Sequence, residues 1–127
     1  MPFVRIDLAA GKPADYRKTI GDVVYDAMLA TINVPKNDRF QIITEHPADG
    51  LSIDPTYLGI ERSPDCILIQ VTLSEGRTTE MKKAFFKAIA DGLHERLGVR
   101  LEDAFVSLVE VKKENWSFGN GIAQYAS

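Results

Sequence analysis

The second residue of the chain is where chemistry could start. Pro2 directly follows Met1, and a small cyclic second residue favours removal of the initiator methionine, which would leave a free secondary amine at the head of the chain. An α-amino group titrates near about 7.7–8.0, and partial burial lowers that value by disfavouring the ammonium form. Such an amine takes up a proton when neutral and returns one when charged, near operating pH. Proline also occurs at this position for processing alone, so the residue needs companions before it means anything.

Three candidates stand elsewhere in the chain. Arg77 and Lys12 each sit just ahead of an expected helix, where the positive end of the macrodipole makes a cation mildly unfavourable. A local rule broken at equivalent places points to function, and a cation beside free backbone N–H groups is a carboxylate site; the competing reading is a solvated loop arginine paired to Glu75 or Glu80. Asp38, in Asn37-Asp38-Arg39-Phe40, also suits a turn for purely structural reasons. Trp116-Ser117-Phe118-Gly119-Asn120-Gly121 sets two aromatics beside a glycine pair, which fits the wall of an apolar pocket as well as it fits a core plug.

The elements that must position these residues come from an internal repeat. Displaced by 65 places, the stretch from Val4 to Glu45 lies gap-free over Ile69 to Glu110. Leu8 then meets Leu73, Gly11 meets Gly76, Val34 meets Val99, Asp38 meets Asp103, Phe40 meets Phe105 and Glu45 meets Glu110. Each half opens with an alternating strand, Val4, Ile6 and Leu8 in the first and Ile67, Ile69, Val71 and Leu73 in the second, and each turns at a glycine. Helical spacing follows, through Ile20, Val23, Val24, Ala27 and Met28, and again through Met81, Phe85, Ala88, Ile89, Gly92 and Leu93. Pro13 suits the first helical position and Pro35 marks the exit of the first helix. Second strands near Phe40 to Glu45 and Phe105 to Val111 close the units.

The expected fold is therefore α+β: a single domain over residues 1–127 made of tandem β-α-β units, about 2–45 and 67–110, forming a four-stranded mixed sheet with two helices on one face. Alternation assigns Ile43, Leu68, Val106 and Leu108 to the uncovered face, and apolar area of that kind is normally hidden from water, so an oligomer is expected. The punctuated segment His46 to Cys66 is long enough to carry structure or function of its own.

Composition narrows the function. Fifteen basic and 18 acidic side chains give a formal charge of −3, which leaves no electrostatic footprint for nucleic acid. No apolar run approaches a membrane span and the start lacks a secretion signal, so a cytoplasmic location is expected. The lone Cys66 cannot form an intrachain disulfide and, with only His46 and His94, offers no zinc-type spacing. No metal or other cofactor is expected. His46, beside Pro47, reads as a loop residue, and His94 as half-exposed within the second helix.

Taken together, Pro2 behind Met1, the duplicated units, Asp38-Arg39-Phe40-Gln41-Ile42-Ile43-Thr44-Glu45-His46-Pro47, Arg77 and Trp116-Ser117-Phe118-Gly119 resemble the tautomerase superfamily, in the branch containing malonate semialdehyde decarboxylase. The resemblance covers essentially the whole chain. It implies a homotrimer with the proline at the bottom of a pocket near a subunit boundary. It also implies that Pro2 is the acid/base amine, that Asp38 orients or activates water, that Arg77 holds a substrate carboxylate, and that Trp116, Phe118 and Tyr125 line the pocket. The substrate would be a small 2-oxo or 3-oxo acid undergoing keto–enol tautomerisation. Decarboxylation or hydration like that of malonate semialdehyde decarboxylase is the alternative, and so is a non-catalytic, cytokine-like interaction protein. One departure bears on the choice: the decarboxylase pattern has two arginines separated by one residue, whereas here Glu75 and Gly76 precede a lone Arg77.

Overall fold

A computed structural model describes residues 2–126; Met1, whose removal the sequence leads us to expect, lies outside the described residues, as does Ser127. The chain runs β1 (Phe3–Ala9), α1 (Ala14–Thr31), β2 (Gln41–His46), β3 (Ile67–Ser74), α2 (Thr79–Leu97) and β4 (Ala104–Val111). The sheet order is β2-β1-β3-β4. Within each unit the strands are parallel, and β1 meets β3 antiparallel, Ile6 opposite Ile69. This is the expected mixed sheet.

The apolar spacing does what it predicts. Val4, Ile6 and Leu8 from β1 and Ile67, Ile69, Val71 and Leu73 from β3 are buried against Ile20, Val24 and Met28 of α1 and Phe85, Ile89 and Leu93 of α2. The helices touch where α2 carries Gly92: a Cβ there would fall 2.8 Å from Val23 Cγ1, a separation that only glycine permits. Thr78 caps α2 by accepting from Met81 N–H at 3.2 Å, and Gly98, at φ +68°, ends it in the left-handed conformation. At the head of α1, Pro13 takes the cap position with extended ψ of 156°, one residue earlier than its fixed φ suggested.

The repeat extends to side-chain pairs. Arg17 binds Glu45 in the first unit and Lys82 binds Glu110 in the second, each joining its helix to its own second strand. Gly11 and Gly76 both turn with positive φ, 109° and 126°, which is why the turn after each first strand is a glycine.

Two expectations fail. Ile43, Val106 and Leu108 face the helices and pack on the core, because the register sets Ile43 beside Ile6, Val106 beside Ile69 and Leu108 beside Val71, and laterally paired residues share a face. Only Leu68 of the expected set lies on the uncovered face. That face is nonetheless apolar in part: Ile42, Phe105 and Val109, at 44%, 47% and 36% exposure, occupy the alternate positions. His46 is also misplaced as a loop residue. It ends β2, with Nε2 2.6 Å from Asp7 Oδ1 on β1.

Candidate active site

Pro2 is buried at the start of β1. Together with Phe3, Phe40, Trp116, Ser117 and Phe118 it lines a cavity of about 250 Å³, so three of the residues singled out in the sequence meet in one small hollow. Phe40 reaches it because it directly precedes β2, where its backbone carbonyl accepts from Val4 N–H at 2.9 Å. The Trp116 and Phe118 rings stack at 5.4 Å between centroids, and Tyr125 stands edge-on to Phe118 at 4.7 Å. Tyr125 thus touches the wall without lining this hollow.

Arg77 is fixed by backbone. Its Nε donates to Ile32 O at 3.1 Å and its Nη1 to Ser74 O at 3.0 Å, the first of these at the C-terminal end of α1, where carbonyls lack helical partners. Neither Glu75 nor Glu80 pairs with it: among the described residues Arg77 has no ion pair within 4.0 Å, and Glu80 goes to Lys83. Two of its five N–H donors are thereby spent on neutral carbonyls, and among the described residues no carboxylate lies within 4.0 Å of it, which leaves donors for an anion. Lys12, its counterpart, is instead paired to Asp65 at 3.4 Å and lies over the Tyr16 ring at 5.5 Å.

Asp38 shows the same contrast with its counterpart. Its Oδ1 is buried with no hydrogen-bond partner among the described residues. Burial pushes its carboxyl above the ordinary carboxylate range, while the positive charge at the amino terminus and the Arg77 guanidinium pull the other way. A half-buried carboxylate with an unmet oxygen, within Coulombic reach of a guanidinium, can accept a proton or hold a water or hydroxyl. Asp103, by contrast, is 2% exposed and fully engaged, accepting from Ser63 N–H at 2.7 Å and Ser63 Oγ–H at 2.6 Å. It pins the segment between the units to the start of β4.

The cavity and the arginine are joined through the end of β3. Trp116 Nε1 donates to Ser74 Oγ at 3.1 Å, and the carbonyl of that same Ser74 holds Arg77. Sequence reasoning places Phe40 in a motif and at a strand start but not in the site, and passes over Phe3 and Ser74 as site residues. Phe3, as the neighbour of Pro2, was open to notice; Ser74 carries no local signal, since its partner lies 42 residues away.

A larger hollow, about 490 Å³, lies on the uncovered sheet face between Asp7, Cys66, Leu68 and Phe105. Its chemistry is poorer. Asp7 is already engaged by His46, and burial raises the Cys66 thiol away from its reactive thiolate form. Volume alone therefore does not choose the site.

Comparison with known proteins points to one group. Two family profiles, both described as tautomerase enzyme, match residues 38–119 and 2–60. The chain is 43% identical to the probable tautomerase YusQ of Bacillus subtilis (strain 168), over 98% of both chains. It is 36% identical to the probable tautomerase YrdN of the same organism, over 98% of this chain and 96% of that one. Among solved structures, FG41 malonate semialdehyde decarboxylase inhibited by 3-bromopropiolate superposes with a TM-score of 0.90 at 38% identity, covering 97% of this chain and 93% of that one. A second malonate semialdehyde decarboxylase gives 0.90 at 32% identity, covering 97% and 95%. A fused 4-OT symmetric trimer shares the fold at 0.79 and 22% identity, covering 97% of each chain.

Proposed function

This chain belongs to the tautomerase enzyme family, and on that premise we propose that it interconverts the keto and enol forms of a small 2-oxo or 3-oxo carboxylic acid, with Pro2 as the acid/base. What supports the proposal is a buried Pro2 in an aromatic cavity of about 250 Å³, beside an Asp38 carboxyl that feels both the amino-terminal charge and the Arg77 guanidinium and whose buried oxygen has no partner among the described residues.

The chemistry follows from those groups. Arg77 pairs with the substrate carboxylate, which fixes the carbonyl and its neighbouring carbon over the proline. Freed of Met1, the neutral Pro2 amine removes a proton at one end of the three-atom carbonyl system and returns it at the other. Asp38 accepts a hydrogen bond from the enolic hydroxyl or an intervening water. The Trp116 and Phe118 faces exclude water and cradle the apolar part of the substrate. A blocked nitrogen on Pro2 would have no basic lone pair, so the mature amino terminus is central to the reading.

A second reading draws support from the decarboxylase neighbours at 38% and 32% identity. Loss of carbon dioxide from a 3-oxo acid needs a cationic Pro2 to polarise the carbonyl and a carboxylate held near positive charge. With Glu75 standing two places before Arg77, this site offers one guanidinium where the decarboxylase pattern has two, which favours tautomerisation. The apolar residues Ile42, Leu68, Phe105 and Val109 on the uncovered face fit burial between copies in a trimer, and sedimentation velocity tests that assembly.

The deciding experiment is turnover of an enolic 2-oxo acid of the phenylpyruvate type by protein whose mass shows Met1 removed, set beside carbon dioxide release from malonate semialdehyde. Ketonisation that is lost in Pro2→Ala and weakened in Arg77→Ala supports tautomerisation. Unchanged turnover in both variants rejects it, and carbon dioxide release without ketonisation supports the second reading.

A further inference from the structure

We propose that Ser74 is a positioning residue that latches the aromatic wall of the site to the strand end holding the anion-binding arginine. Ser74 closes β3 and is 5% exposed; it and Asp103 are the buried polar side chains among the described residues. A hydroxyl removed from water must be used. The use here is specific: Oγ accepts the indole N–H of Trp116 at 3.1 Å, while the carbonyl of the same residue accepts from Arg77 Nη1 at 3.0 Å. One residue at the rigid end of a strand thus sets the spacing between the apolar wall and the guanidinium.

The latch matters because of how little else secures the tail. Residues 116–126 contain no helix or strand. Their other hydrogen bonds stay within the tail: Gln124 accepts from Phe118 N–H and donates to Gly119 O, Ile122 N–H reaches Gly119 O and Ala126 N–H reaches Ala123 O. Among the described residues, Trp116 to Ser74 is the hydrogen bond that joins this stretch to the rest of the chain. Phe118 and Tyr125 depend on it in turn, through the stack at 5.4 Å and the edge contact at 4.7 Å. Without the acceptor the indole N–H has water as its partner, and the ring stack follows it outward.

The test uses the fact that Trp116 is the chain's one tryptophan, so its fluorescence reports the latch without any substrate. Ser74→Ala removes the hydroxyl and leaves the carbonyl that holds Arg77. It is expected to shift the emission to longer wavelength and raise acrylamide quenching, with far-ultraviolet circular dichroism unchanged. In turnover, KM rises about five- to tenfold, the usual effect of losing one buried hydrogen bond, while kcat stays within about twofold. Trp116→Phe approaches the same bond from the other side, and the double variant Ser74→Ala/Trp116→Phe is expected to be no worse in KM than the poorer single one. Unaltered emission and quenching in Ser74→Ala, or fully additive losses in the double variant, overturn the proposal. The inference rests on the tautomerase reading only for its kinetic arm: a shifted emission in a protein that converts no oxo acid upholds the latch and removes the reaction assigned to the site.

Discussion

The two β-α-β units occupy equivalent places in one sheet and use equivalent residues for opposite ends. In the second unit both Asp103 oxygens accept from Ser63; in the first, Asp38 keeps a buried oxygen without a partner among the described residues. The cations divide the other way, with Lys12 of the first unit bound to Asp65 and Arg77 of the second held, among the described residues, by carbonyls. Each unit therefore contributes one residue whose polar groups are engaged and one that, among the described residues, keeps bonding capacity in reserve. A repeat supplies two copies of every position, and where one copy suffices for the fold the other is free to be left unsatisfied. The paired Arg17–Glu45 and Lys82–Glu110 contacts show what is kept in both when stability alone decides.

This contrast can be broken at several points. The largest effect is expected at Pro2, which aligns with Ile67, a fully buried core residue: Pro2→Ala should lower kcat by about 10²-fold or more, the usual contribution of a positioned acid/base, with Tm little changed. Arg77→Ala should raise KM for the oxo acid by roughly 10- to 100-fold, the range for a lost charged hydrogen bond, whereas Lys12→Ala should leave KM unaltered and cost under about 1 kcal/mol. Parallel Michaelis plots for the two variants decide the matter, and equal effects would mean that the halves do not differ as described.

Stability should divide the aspartates in reverse. Asp103→Ala strands the Ser63 N–H and is expected to cost about 2 kcal/mol, seen as a melting point lower by roughly 5–10 °C; Asp38→Asn should not destabilise. The smallest effect is a pH dependence. Because burial raises the Asp38 carboxyl in the folded chain above its ordinary 3.8, the folded state holds that proton more tightly than the unfolded one. Stability from this group is then present at low pH and declines as pH rises from about 3.8 through the raised value. Asp38→Asn should accordingly melt above the parent at pH 7 and converge with it below that window, measured as the difference between the two Tm curves. A gap that widens on acidification would reverse the sign of the argument.

Much of the fold was legible because the 65-residue repeat ties two independent readings together. A strand proposed from Ile6 and Leu8 is supported by Val71 and Leu73, and both sets are buried. The face assignment of Ile43, Val106 and Leu108 was not legible, since alternation gives a period without a phase, and the phase is set by pairing across the sheet. In the site, Pro2, Trp116 and Phe118 could be named from type and context. The bonds that place Arg77 could not, because backbone carbonyls such as those of Ile32 and Ser74 leave no trace in residue type. Tyr125 meets the Phe118 ring and is not among the residues lining the hollow.

The order β2-β1-β3-β4 has one further consequence. The covalent link between the halves runs through the segment after His46, where Leu58 is 78% exposed with a left-handed backbone at φ 60°. The noncovalent link is elsewhere, in the ladder from Phe3–Thr72 to Asp7–Leu68 and in the facing helices. A protease cut at Leu58 thus opens the chain without parting the sheet, and the two fragments have the means to stay together as a nicked protein with both of their ion-paired units entire.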